Sequence, residues 1–205
     1  MNAAALPAVI FGLGNPGPKH AADRHNAGFW FVDRLAAAGG GSFREEPKLA
    51  GSACQAGFAG RTLRLVKPAT FMNRSGQCVR RVMDYYQVPL AGMLVVHDDV
   101  DLPPGTARLK AGGGHGGNNG LRDIIAHCGA DFLRLRLGVG HPGQKDQVAD
   151  YVLHAAPAAE RALIDQAMEE SLRALETWFT QDFQRAVTRL HTATPPAGAA
   201  RSPPP

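Results

Sequence analysis

The chain has 205 residues, of which 44% are hydrophobic and 20% charged, with a net charge of +4; this is ordinary for a globular protein and fits one domain better than two. Its apolar runs are far too short to span a membrane, and residues 1–7 lack the basic start and apolar stretch of a signal peptide, so a soluble cytoplasmic protein is expected. Three scattered cysteines, Cys54, Cys78 and Cys128, show neither zinc-ligand nor disulfide spacing and read as small buried apolar residues.

Residues 8–13 form a short apolar run ending in glycines and proline, as a buried strand does. Residues 28–35 are strongly apolar and read as a helix. Residues 61–66 alternate and stop at Lys67-Pro68, which predicts a strand. Beyond Pro68, Val79, Val82, Met83 and Tyr86 fall on one helical face. Residues 93–97 are another apolar strand, followed by an acidic turn, and residues 106–110 alternate weakly. Leu121, Ile124, Ile125 and Cys128 mark the next helical stripe. Residues 133–137 alternate Leu and Arg strictly, the pattern of a strand with one buried face. Ile164, Met168, Leu172, Leu175 and Phe179 mark a helix near the C-terminal end. Interleaved strands and helices predict a single α/β domain over residues 1–192, a sheet with helices packed around it. Residues 193–205 hold five prolines and no large apolar side chain, so a disordered tail is expected there.

Five stretches could carry chemistry. Gly12-Leu13-Gly14-Asn15-Pro16-Gly17 matches the GxGxxG dinucleotide fingerprint after a strand. Pro16, Gly17 and Pro18 stand where the phosphate-binding helix would have to open, and proline removes the N–H donors such a site needs. The acidic residue expected about 20 positions on would be Asp33, inside an apolar helix. A tight turn placing Asn15 at a strand end fits better. Arg24-His25-Asn26-Ala27-Gly28 puts a histidine just before a helix, one short loop after Asn15. His97-Asp98-Asp99-Val100-Asp101 follows a buried strand; a surface turn, a metal site, or a carboxylate that orients a histidine would each explain it, and spacing decides among none of them. Residues 112–121 flank His115 with glycines and end in Asn118-Asn119 before a helix, so that backbone N–H groups could form an anion nest. In residues 70–76, Asn73 stands where a helix cap would.

The charge is unevenly placed. Residues 103–145 carry Arg108, Lys110, Arg122, Arg134, Arg136 and Lys145 against Asp123 and Asp131, which equals the excess of the whole chain. A polyanionic partner such as nucleic acid would suit it. On charge alone, a solvated charged face is the simpler reading.

Taken in order, these stretches resemble the bacterial peptidyl-tRNA hydrolase family, as do Leu102-Pro103-Pro104-Gly105 and Arg136-Leu137-Gly138-Val139-Gly140-His141-Pro142. The resemblance runs from about residue 8 to 191. It implies a monomer with a twisted mixed sheet, no metal and no cofactor. The implied reaction is hydrolysis of the ester between a peptide and the 3′ end of tRNA, which recycles tRNA during translation and ribosome rescue. By position, His25 matches the family's catalytic histidine, Asp98 its carboxylate, and Asn15, Asn73 and Asn119 its substrate-binding asparagines. Asn15 is expected to serve the oxyanion, and His20, Phe71 and Met72 to border the substrate. The family's contacts to the tRNA acceptor stem fall near Arg108, Lys110, Arg134 and Arg136. Two positions depart from the family: His20 stands where tyrosine is usual, and Asn118 where histidine is common. An amide cannot change charge with pH, so any role of Asn118 must be hydrogen bonding. A metal-dependent hydrolase using His25, His97, Asp98, Asp99 and His115, and a non-catalytic RNA-binding relative, are the rival readings.

Overall fold

A computed structural model describes residues 5–192; the expected disordered tail lies outside the described residues. Seven strands form one sheet in the order β2-β3-β4-β1-β5-β7-β6. They are β1 (Val9–Gly12), β2 (Arg44–Glu46), β3 (Gly51–Phe58), β4 (Arg61–Pro68), β5 (Met93–Asp99), β6 (Ala107–Ala111) and β7 (Leu133–Gly138). The central four, β4, β1, β5 and β7, run parallel. The pairings β2–β3, β3–β4 and β6–β7 are antiparallel, so the sheet is mixed, as expected.

Central parallel strands are covered on both faces and therefore read as continuous apolar runs. β1 and residues 93–96 of β5 are wholly buried. On one face lie α1 (Ala27–Ala38), α5 (Ala158–Thr180) and α6 (Phe183–Thr192), whose apolar sides share a core with Ile10, Leu94, Leu135 and Leu137. On the other lie α2 (Ser75–Tyr86) and α3 (Asn119–Cys128), packed on Phe11, Val66, Val95 and Phe132. A short α4 (Val148–Val152) stands beside the loop after β7. Among the described residues, no helix is long and apolar enough to cross a membrane.

Several details differ from expectation. β5 continues through Asp99, so Asp98 belongs to the strand and is rigidly held rather than placed on a turn. The Arg face of β7 is covered at Arg134 by the glycine-rich loop and only partly open at Arg136, which reaches the cleft. Cys54 and Cys78 are buried, with burial pushing the Cys78 thiol up to about 12, but Cys128 is only partly covered. Asn73 does not cap α2; Ser75 at its first position instead donates to the Met72 carbonyl at 2.8 Å.

The glycines of the first motif serve packing. A Cβ on Gly28 would stand 2.3 Å from the Val96 carbonyl oxygen and 2.4 Å from the Leu13 amide nitrogen. A Cβ on Gly12 would stand 2.3 Å from the carbonyl oxygen of Gly28. Backbone-to-backbone approach of α1 to β1 and β5 brings the segment before α1 against the end of β5. No phosphate-binding helix opens in the motif; Pro18 begins a single 3-10 turn, Pro18–His20.

Candidate active site

The carboxyl ends of β1, β4, β5 and β7 point the same way, and the loops leaving them surround one cleft of about 1070 Å³. In open α/β sheets this is where ligands bind. The end of β1 leads to Asn15, β4 leads to the Phe71–Asn73 segment, and β5 carries His97, Asp98 and Asp99; all line the cleft.

His25 sits on a 3-10 turn, Arg24–Asn26, that runs into α1. Its Nδ1 meets Asp98 Oδ2 at 2.9 Å, across 73 residues of sequence. The other carboxylate oxygen, Oδ1, accepts from Asn118 Nδ2 at 3.1 Å. Both His25 and Asp98 are buried. Burial alone pulls the His25 pKa down, but the charge and hydrogen bond of Asp98, with a smaller push from Asp23, outweigh it and hold the value above the ordinary 6.5. Burial pushes the Asp98 carboxyl up, yet His25 and, less so, His97 bring it below its ordinary 3.8. Asp98 is thus ionised and acceptor-only, so neutral His25 carries its proton on Nδ1 and presents a lone pair at Nε2. Among the described residues Nε2 has no hydrogen-bond partner, and His25 lines the cleft.

The asparagines divide their two ends. Asn15 Oδ1 accepts from the Met72 amide at 2.8 Å, which leaves its Nδ2 as a free donor at the cleft wall. Asn119, at the start of α3, accepts through Oδ1 from Arg122 Nη1 at 3.0 Å. Asn73 is exposed beside Phe71, and Met72 is buried at the cleft floor. His20 does not line the cleft. Its ring meets Phe71 edge-on, centroids 6.3 Å apart, while its Nδ1 bonds Asp23 at 2.7 Å. It therefore backs a wall residue rather than lining the cleft itself.

The four basic residues singled out in the sequence are separated by the fold. Lys110, Arg134 and Arg136 line the cleft; Arg108 does not, and turns Nη1 back to the Ala107 carbonyl at 2.9 Å. Lys110 is exposed, with its ammonium beside Gly113. Arg136 pairs with Asp99 at 2.6 Å. Arg134 is buried and donates to the carbonyls of Gly113 and Gly114, which fixes the glycine-rich loop over β7. Arg122 and Lys145 complete a basic lining on this side. His115 accepts from the Gly117 amide at 3.1 Å, and His97 bonds the Asp98 carbonyl at 2.7 Å. Among the described residues, no group of three His, Cys, Asp or Glu side chains is placed to hold a metal ion.

Comparison with known proteins is decisive at this point. Residues 9–197 match the family model for peptidyl-tRNA hydrolase. The chain belongs to the peptidyl-tRNA hydrolase family. It is 52% identical over 186 residues to the peptidyl-tRNA hydrolase of Aeromonas hydrophila, covering 90% of this chain and 94% of that one. It is 48% identical to that of Escherichia fergusonii over 90% of this chain and 96% of the relative. The crystal structure of the peptidyl-tRNA hydrolase of Acinetobacter baumannii is 42% identical and superposes with a TM-score of 0.89, covering 95% of this chain and 99% of that one.

In this peptidyl-tRNA hydrolase family member, three further residues hold the cleft together. Asn26 clasps the backbone of Asn15 from both sides, accepting from its amide at 2.8 Å and donating to its carbonyl at 3.0 Å. Arg24 is buried, reaches the carbonyls of His154 and Ala155, both at 3.1 Å, and lies 4.0 Å from the Tyr151 ring centre. It ties the segment carrying α4 to the turn that carries His25. Asn118 holds Asp98. Arg24 and Asn26 stand inside the His25 motif, but their sequence signal is that of ordinary residues before a helix. Asn118 stands beside Asn119 in the sequence, and nothing in the spacing shows that it reaches Asp98.

Proposed function

We propose that the chain hydrolyses peptidyl-tRNA with His25 as general base. Membership of the family makes it an ester hydrolase acting on peptidyl-tRNA. The His25–Asp98 contact of 2.9 Å, which leaves Nε2 toward the cleft, carries the finer reading. Neutral His25 takes a proton from water through Nε2 as the water oxygen attacks the ester carbonyl carbon. Asp98 stabilises the imidazolium that forms. Asn15 Nδ2 donates to the developing oxyanion. The tetrahedral intermediate collapses by breaking the bond to the ribose 3′ oxygen, which leaves with the proton from His25. Asn73 and Asn119 bind the peptide backbone, with Phe71 and Met72 as apolar wall and His20 behind Phe71.

Lys110 and Arg136 suit the acceptor-stem phosphates, since both line the cleft on its basic side. Phosphate contacts position a nucleic acid without reading its sequence, which suits an enzyme that must accept many tRNAs. Arg134 serves this surface by holding the loop, and Arg108 would join it only if the tRNA extends beyond the cleft. The reading includes a monomeric cytoplasmic enzyme without cofactor.

The test is turnover of a peptidyl-tRNA with and without chelator. Release of free peptide at the same rate in both is expected; activity that vanishes with chelator and returns with a divalent ion would favour the metal-dependent alternative. Replacing Lys110 by Ala should raise KM several-fold and reduce the slope of log affinity against log salt by about 0.7–0.9, the share of one phosphate contact. Salt titration of tRNA binding measures it, and an unchanged slope would remove Lys110 from the footprint.

A further inference from the structure

Asp98 has two buried oxygens, and the proposed mechanism uses one. Oδ2 takes the His25 ring; Oδ1 is bonded by Asn118 Nδ2 at 3.1 Å. The same Asn118 side chain accepts, through its Oδ1, from the amides of Gly120 at 2.9 Å and Leu121 at 3.1 Å, and so caps α3. These bonds define which end of the amide faces which way. Swapping oxygen and nitrogen would set an NH₂ against two N–H donors and an oxygen against a carboxylate, both repulsive. Asn118 is further tied to the glycine-rich loop, since its own amide donates to the His115 carbonyl at 2.9 Å. Its side chain thus joins the base's carboxylate to the first turn of the helix that presents Asn119, and its backbone amide ties the same residue to the loop.

We infer that Asn118 is a positioning residue for the hydrolytic reaction, holding Asp98 by a fixed, uncharged donor so that Oδ2 stays on His25. The inference rests on His25 acting as the base. A neutral donor stabilises the carboxylate without adding a second titrating group to the pair. It also keeps Asp98 from rotating, because turning the carboxylate would break the bond to an amide that α3 holds in place. The cap alone would need only the oxygen. The nitrogen is what a helix cap does not require and what the carboxylate uses.

Two substitutions separate the roles. Asn118→Ser keeps a good capping oxygen but is too short to reach Asp98. Asn118→Asp keeps the cap and turns the donor into a carboxylate beside Asp98. If Asn118 positions Asp98, Asn118→Ser folds but melts somewhat lower, because a buried carboxylate oxygen loses its donor, its kcat falls about tenfold with little change in KM, and the acid limb of its pH–rate profile moves down, because a released Asp98 supports protonated His25 less. Asn118→Asp sets a carboxylate beside Asp98 and so raises the limb whatever the native residue does, which makes it the control for reading charge at His25. A role confined to capping predicts wild-type kcat and an unmoved limb for Asn118→Ser, and would overturn the inference. If His25→Ala is inactive while Asn118→Ser behaves as wild type, only the role of Asn118 falls. If His25→Ala turns over normally, the base assignment and this inference fall together.

Discussion

His25→Ala should lower kcat by about 10²- to 10⁴-fold while leaving tRNA binding close to wild type. The split follows from where the ring sits. Its Nδ1 is used inward, on Asp98, and its Nε2 faces the cleft. Lys110 and Arg136, basic groups that face the same cleft, are contributed by β6 and β7 and make no hydrogen bond to His25. Removing the ring therefore removes proton transfer and not the phosphate contacts. The substitution also takes a partner from the buried Asp98 carboxylate, so some loss of thermal stability accompanies it. Activity is for that reason measured on protein shown to be folded, alongside tRNA affinity. Near-normal turnover by folded His25→Ala would refute the base assignment, whereas equal loss of turnover and tRNA affinity would make His25 a binding residue.

The fold was legible in the sequence where a single periodicity dominates. The apolar runs of β1 and β5 and the stripes of α2, α3 and α5 all coincide with elements of the structure. β3 escaped because Gly51–Phe58 is built of small and polar residues, whose pairing with β4 comes from backbone and not from an alternating apolar face. β2 is three exposed polar residues on the sheet edge, and α4 is a helix of five. α6 does carry a stripe, Phe183, Ala186, Val187 and Leu190, but it follows α5 after a two-residue break. The site behaves differently. Residue types marked its pieces, yet His25 and Asp98 stand 73 positions apart, and only the crossing of α1 over β1 and β5 makes them neighbours. Charge patterning was least informative: four basic residues on two adjacent strands look alike in sequence, but in the fold Arg134 is buried, Arg136 is paired, Arg108 turns aside and Lys110 is exposed.

Asp98→Asn should lower the plateau of kcat by about 10⁴-fold, as expected for a base locked in its wrong tautomer. The carboxylate now accepts from two donors, His25 Nδ1 and Asn118 Nδ2. An asparagine has one oxygen and so satisfies one of them. The orientation of Asn118 is fixed by its cap on α3, so the new oxygen turns to Asn118 and the new NH₂ turns to His25. Facing a donor, Nδ1 becomes an acceptor and Nε2 takes the proton, which leaves no lone pair for water. The pH profile supplies the second signature. In the wild type the base is ready only as pH rises through the raised His25 pKa. The linkage to stability runs the other way: that raised pKa contributes stability fully below the unfolded value and loses it as pH rises through the folded one, while the lowered Asp98 pKa contributes above its unfolded value and loses it as pH falls through the folded one. The charged pair therefore stabilises the fold most between the two unfolded values, and the base works above the folded value of His25. Without the carboxylate, burial is left as the main influence on His25 and pulls its pKa down, so the acid limb of Asp98→Asn moves to lower pH even though its plateau is low. A limb that stays in place, or a plateau close to wild type, would show that Asp98 does not set the protonation of His25.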